Sequence, residues 1–236
     1  MTTKTIAVLG AGSGLGAAVA RRFGQEGYRV ALVARRREPL TELVGALDDL
    51  GVPSRAFTAD LTDLDALPAL IDRIRDHFGD GIDVLYFGPA TSEGFTPAEH
   101  LTAKQVAGFA ALYTHPPIEA VRAVLPEMLG RGSGSILYAG GATGIQAPPT
   151  MSGPAPAVAA ARNYLQTLHA EVGARGVYVG ALFVAAMIAG SAAHAAASRW
   201  DPDGEFPVVA PDDLADVLWR LHTDRTSFEE THPRPA

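Results

Sequence analysis

The run Ile6-Ala7-Val8-Leu9-Gly10-Ala11-Gly12-Ser13-Gly14-Leu15-Gly16 decides how this chain folds. Ile6–Leu9 is an apolar run of strand length, and Leu15–Phe23 has the spacing of an amphipathic helix. Between them, glycines let the backbone turn tightly and approach a ligand closely. The helix start then offers free N–H groups and a positive dipole end, the features that hold a pyrophosphate. Gly10, Gly12, Ser13, Gly14, Leu15 and Gly16 are therefore candidate dinucleotide-binding residues. A glycine-rich turn that carries no ligand is the plainer alternative.

Working outward, apolar strands alternate with helical patterns, which predicts βαβ units and a parallel sheet. Strands are expected at Arg29–Ala34, Ser54–Ala59, Ile82–Phe87, Ser135–Tyr138 and Val177–Val184. Helices are expected at Pro39–Leu50, Leu64–Phe78 (capped by Thr62), Thr102–Met128, Pro154–Val172 and Pro211–Leu221. Pro116-Pro117 must kink or divide the third of these. Residues 224–236 read as a polar tail. The fold class is thus α/β, a doubly wound parallel sheet of Rossmann type in one domain spanning residues 1–236.

The end of the second strand selects the cofactor. An NAD site usually places a carboxylate there for the ribose 2′-OH. This chain has Ala34-Arg35-Arg36-Arg37, and guanidinium forks bind phosphate bidentately. NADP(H) is the expected cofactor, with Arg35 and Arg36 at the 2′-phosphate and Arg37 a solvated charge.

Composition narrows the rest. The 236 residues are 47% hydrophobic and carry a net charge of −7, which disfavours nucleic acid as a partner. There is no cysteine, so disulfides and thiolate chemistry are excluded and a cytoplasmic location is the expectation. No formal charge lies between Arg175 and Arg199, yet Gly180, Gly190, Ser191 and His194 argue against a membrane span. The scattered histidines suggest no metal site.

At this point the chain resembles the short-chain dehydrogenase/reductase family. The likeness rests on the spacing Gly10-x3-Gly14-x-Gly16, on Asp60-Leu61 after the third strand, and on Ile82-Asp83-Val84-Leu85. Val124-Leu125-Pro126-Glu127-Met128 followed by Gly134-Ser135-Ile136 extends it, to roughly residues 4–222. The resemblance implies a three-layer αβα domain of six or seven strands, seven if the tail supplies one. It also implies that Asp60 and Leu61 contact adenine, and that Gly88 borders the cofactor, although Phe87-Gly88-Pro89-Ala90 departs from the family's Asn-Asn-Ala-Gly after the fourth strand. Residues 185–208 correspond to the substrate lid, and a homodimer or homotetramer is expected.

The family works with a Ser, an Asn, and a Tyr followed four residues later by a Lys. The ammonium favours phenolate, and a shift of about 3 pKa units is worth about 4 kcal/mol. Here those positions fall at Gly141, near Tyr113, near Pro154 and near Val158, and the only lysines are Lys4 and Lys104. Candidate replacements are Tyr113, Tyr138 and His115. Each is equally open to a bland reading, the tyrosines as core aromatics and the histidine as a turn residue. Thr143, Thr150 and Ser152 lie on the neighbouring loop as hydrogen-bond donors.

Three functions stay open. One is an NADP(H)-dependent oxidoreductase acting on a small, mostly apolar molecule through a non-standard site. Another is an NADP(H)-binding regulatory or scaffold protein without turnover. The third is a non-redox cyclase or isomerase on the same fold.

Overall fold

The computed structural model describes residues 3–79, 81–91, 93–196, 201, 204 and 206–234. Its centre is β1 (Thr5–Leu9), every residue of which is buried. Such a strand needs cover on both faces, and the parallel sheet provides it. β1 is flanked by β2 (Arg29–Ala34) and then β3 (Ser54–Thr58) on one side. On the other side lie β4 (Val84–Phe87), β5 (Gly134–Gly141), β6 (Val177–Val184) and β9 (Glu229–His232). The seven strands run in the order β3-β2-β1-β4-β5-β6-β9, all parallel. The chain reverses its direction of travel across the sheet between β1 and β4. The crevice beyond their carboxyl ends is where doubly wound sheets hold ligands.

Helices close both faces. α1 (Leu15–Gln25), α2 (Arg37–Asp48) and α8 (Pro211–Asp224) bury Phe23, Leu40, Leu47 and Leu218 against one face. α3 (Leu67–Phe78), α4 (Ala103–Tyr113), α5 (His115–Arg131) and α6 (Ala155–Val172) bury Ile71, Phe109, Val124 and Leu165 against the other. β7 (Met187–Ile188), α7 (Ala192–Ala196) and β8 (Val208–Val209) form a small outlying unit after β6. Among the described residues no helix is long and apolar enough to cross a membrane.

Local chemistry fixes the boundaries. The helix expected over Thr102–Met128 divides at Thr114, and Pro116 and Pro117 take the first turn of α5, where their missing N–H groups cost nothing. Thr114 Oγ1 donates to Ala157 O at 2.8 Å, which pins this break to α6. Thr102 and Gln105 form a reciprocal capping box at the start of α4. Before α3 the cap is Asp63, whose carboxylate accepts from Ala66 N, rather than Thr62. Thr62 instead turns its N–H and hydroxyl onto Asp60.

The largest departure from expectation is the tail. Residues 229–232 form the seventh strand, paired with Ala181–Val184. Arg162 on α6 grips both carboxylate oxygens of Glu229 at 2.7 Å each, an ion pair within the chain. A bidentate pair supplies the directional anchoring that Glu229-Glu230 cannot draw from apolar burial. Its polarity suits a sheet edge, where only one flank of the strand is paired, and that same polarity makes the segment read as a tail.

A polar network lies beneath the amino-terminal ends of the strands. His222 contacts the Tyr28 hydroxyl and the Ser135 hydroxyl, each at 2.9 Å, and Arg225 donates to Ser135 Oγ at 3.2 Å. Burial first, then the Arg225 and Lys4 charges, lower the His222 pKa from 6.5 to about 4. An unfolded chain therefore binds a proton at His222 that the folded chain refuses between those values. Its contribution is complete above pH 6.5 and is lost as the pH falls towards 4, to a total of roughly 3 kcal/mol. Melting temperatures measured from pH 7 to pH 4.5 should fall more steeply for the wild type than for His222→Gln. Parallel curves would sever stability from this histidine.

Candidate dinucleotide site

The glycine loop stands at the switch point because its neighbours leave no room for anything larger. Gly10 has φ +104°, and a Cβ there would lie 2.6 Å from Pro89 N and 2.7 Å from the Gly88 carbonyl carbon. Gly88 N donates to Leu9 O at 2.9 Å, so β1 and β4 end in backbone-to-backbone contact. Gly10 and Ala11 both donate to Val33 O, at 3.0 and 2.9 Å. A Cβ on Gly16 would sit 2.2 Å from Gly10 O, so the first turn of α1 rests on the loop. At Gly12 the space is open, with nothing within 4 Å. Gly10, Gly16 and Gly88 thus build the cradle, while Gly12 faces room that a ligand can use. Leu15 is buried and anchors the helix start.

The small unit after β6 overhangs this cradle. Ser13 Oγ donates to Gly190 O at 3.0 Å, and a Cβ on Gly14 would meet Ser191 Cβ at 3.0 Å. Ser191 Oγ accepts from His194 N at 3.1 Å. Sequence reading missed Gly190 and Ser191 as neighbours of the loop; only their small size pointed to a close approach. The remainder of the expected lid includes residues 197–200, 202, 203 and 205, which lie outside the described residues.

One flank of the cradle is basic. Arg35 and Arg36 are exposed beyond the end of β2, with Arg36 preceding α2 and Glu38 in that helix's first turn. Across from them Asp60 is exposed and Leu61 is buried. The Thr62 N–H and hydroxyl, followed by the Arg35 charge, hold the Asp60 carboxyl below its ordinary pKa. The ends of β2 and β3 thus bring Arg35 and Asp60 within electrostatic reach of each other.

The other flank is aromatic and apolar. Tyr113 ends α4, is buried, and its oxygen accepts from Thr91 N at 3.1 Å. Burial raises its pKa, so the phenol keeps its proton, and that proton is not used in the Thr91 bond. Tyr138 is only 1% exposed, stacks beside Phe87, and has a hydroxyl with no partner among the described residues. Burial, then the nearby Tyr113 and Tyr86, push its pKa far upward. His115 is exposed at the first position of α5. The structure thus brings Tyr113 and Tyr138 together and turns His115 to solvent. Gly141, at the end of β5, has room for a side chain, with Thr143 Oγ1 at 3.6 Å from a Cβ. A Cβ on Gly140 or Gly144 would press on Val158, at 2.9 and 2.5 Å. α6 contains no lysine.

One pattern repeats across three adjacent strands. Tyr86, Tyr138 and Tyr178 each lie over the glycine two residues on, Gly88, Gly140 and Gly180. A Cβ on those glycines would approach the tyrosine side chains to 2.1, 2.8 and 2.4 Å. Tyr178 donates its hydroxyl to Ser227 O, whereas Tyr86 shares with Tyr138 the lack of a partner among the described residues.

Comparison with known proteins agrees with this architecture. The family model for short chain dehydrogenase matches residues 4–199. A fatty acyl-CoA reductase of Mycobacterium tuberculosis is 33% identical over 138 residues, covering 58% of this chain and 47% of the relative. The 3beta-hydroxysteroid dehydrogenase 1 of Eggerthella lenta is 29% identical over 95% of this chain and 88% of its own. A metagenomic short-chain oxidoreductase solved in complex with NADP superposes with a TM-score of 0.78 at 23% identity, covering 99% of this chain and 97% of that one.

The two kinds of loop glycine predict different outcomes. Gly16→Ala drives a methyl into Gly10 O and should cost about 1–3 kcal/mol, the usual range for overpacking. Gly12→Ala should leave the melting temperature within a degree or so, since its methyl enters open space. Thermal melts of the two variants decide this, and equal losses would contradict the cradle geometry.

Proposed function

The chain belongs to the short-chain dehydrogenase family, and on that premise we propose that it is an NADP(H)-binding oxidoreductase with a non-standard active site. The observation that carries the cofactor assignment is the pairing of an open cradle at Gly12 with exposed Arg35 and Arg36 beside it. The residues fit the group. N–H groups at the start of α1 would hold the pyrophosphate, and Arg35 and Arg36 would hold the 2′-phosphate. Asp60 and Leu61 would border the adenine, and Gly88 the adjoining ribose. Bound there, a reduced nicotinamide supplies a hydride.

The remaining chemistry falls to this chain's own side chains. By spacing, the family's Ser position falls at Gly141 and its Tyr and Lys positions near Pro154 and Val158, residues that transfer no proton. Tyr113 keeps its phenolic proton because burial disfavours phenolate, and its oxygen is fixed by Thr91 N. It can donate one hydrogen bond to a substrate oxygen as negative charge develops there, with solvent water supplying the proton that the product oxygen then takes. Tyr138 lies sealed behind it and serves packing, and His115 faces water. Such a site suits an activated alkene, an iminium ion or a reactive carbonyl, which need little help from an acid. Met187, Ile188 and Ala189 border the cleft without charge, so a small, mostly apolar substrate fits.

The absence of a lysine from α6 favours a second reading, in which the chain binds NADP(H) without turnover and acts as a regulatory or scaffold protein. The same titrations separate the two. NADPH should bind more tightly than NADH, followed by nicotinamide fluorescence. The Arg35→Ala, Arg36→Ala double variant should weaken NADPH at least about tenfold and leave NADH unchanged. In the presence of carbonyl, alkene and imine panels, NADPH should be oxidised, and Tyr113→Phe should lower kcat about a hundredfold with KM little changed. Tight binding with no oxidation across the panel would establish the non-catalytic reading. No binding of either nucleotide would defeat both.

A further inference from the structure

The strand at the basic end of the sheet has an open flank. In the β2–β3 ladder, Val30 N bonds Pro53 O and Ala59 N bonds Ala34 O, and the parallel register makes odd-numbered residues of β3 face β2. The N–H and C=O groups of Ser54, Ala56 and Thr58 therefore point away from the sheet. A groove of about 570 Å³ runs along this edge between α2 and α3. Its floor includes Phe57 and Val44, and its rim carries Arg37 from α2, Arg55 from β3 and Arg73 from α3.

These three arginines are exposed, and none has an ion-pair partner among the described residues. What sets the groove apart is that three such guanidiniums meet at one place, since Arg35, Arg36, Arg175 and Arg220 also have no ion pair among the described residues while Arg21, Arg22, Arg75, Arg122, Arg131 and Arg162 bond carboxylates. It occurs on a chain whose net charge is −7. Arg55 shares a strand face with Phe57, which packs towards α3 and so towards Arg73. Two guanidiniums therefore line one wall and one lines the other. Arginine on an edge also keeps like edges apart, so a second copy of this same edge is repelled.

We propose that this groove is a docking site for an extended, acidic peptide segment of another protein, which adds to β3 as an eighth strand. Its backbone would take the free N–H and C=O groups of Ser54, Ala56 and Thr58, and its carboxylates would meet Arg37, Arg55 and Arg73. Strand addition uses the charges and the unpaired backbone of β3 together, which a compact anion would not do. The proposal does not depend on the nucleotide site, which lies beyond the carboxyl ends of the strands.

The probe is a fluorescein-labelled Glu-Val-Glu-Val-Glu peptide, with Lys-Val-Lys-Val-Lys as its counterpart, followed by anisotropy on the full chain. The acidic peptide should bind and the basic one should not. Arg55→Glu with Arg73→Glu should weaken it at least about tenfold and change NADPH binding less than about twofold. Two further peptides, N-methylated at alternate residues in the two possible frames, test the backbone without altering the protein. One frame should bind about tenfold more weakly than the other, because only one removes the N–H groups that meet β3. Ala56→Pro, which deletes an outward N–H and no ladder bond, should reproduce that loss. Equal affinity in the two frames would overturn strand addition. So would tripolyphosphate binding as tightly as the peptide, which would mark a plain anion site, or no binding of the acidic peptide by the wild type.

Discussion

The contact on which the rest of the structure depends is that between Gly10 and Gly88, backbone against backbone where β1 and β4 end. No side chain fits at Gly10 without striking the Gly88–Pro89 peptide, and the positive φ there turns the chain out of β1 towards α1. The same turn lets Val33 O accept from both Gly10 and Ala11, which ties the loop to β2. Three strands thus converge on a few atoms. That convergence makes the crevice, aims the α1 N–H groups into it, and sets Arg35 at the end of β2 on its rim.

Much of this was legible in the sequence because glycine spacing and apolar runs report backbone geometry directly. Ile6–Leu9, Val30–Val33 and Val177–Phe183 are buried on both faces, so their sequences are continuous apolar runs. The division of the long helix at Pro116-Pro117 follows from the missing N–H groups alone. Glu229–His232 was not legible, because an edge strand held by an ion pair from Arg162 carries no apolar signature. The short reach of Thr62 back to Asp60 was equally hidden, since Thr62 and Asp63 are both good capping residues and only the turn decides between them. At the site, glycine spacing foretold the tight loop at the end of β1, and Tyr113, Tyr138 and His115 were named as candidates without the sequence telling buried from exposed. Tyr113 and His115 are two residues apart, yet one is buried and the other faces water. That difference comes from where α4 stops, which no pattern of hydrophobicity encodes.

The two flanks of the crevice obey different physics. The basic flank is exposed, so its arginines act through charge and flexible reach. The aromatic flank is sealed, and burial keeps its phenols protonated. On the proposed reading, such a site works by hydrogen bonding and shape more than by proton exchange. Tyr113 links the two regimes, since its oxygen is satisfied by a backbone N–H while its proton remains available.

The tyrosines that lie over glycines bear on the history of this sequence. Each ring occupies the volume that a methyl on the glycine two residues later would need, so the glycine cannot enlarge while the tyrosine stays. A lineage gains the tyrosine only after the glycine is in place, and regains a larger residue at the glycine only after the tyrosine has shrunk. At β4, β5 and β6 this makes an ordered sequence of steps, and both directions pass through the same intermediate, the glycine with a small residue in place of the tyrosine. Gly141 carries no such dependence, because its Cβ position is clear of every tyrosine. Of the glycines beside the aromatic flank, it is the position at which descent could alter the chemistry in a single move.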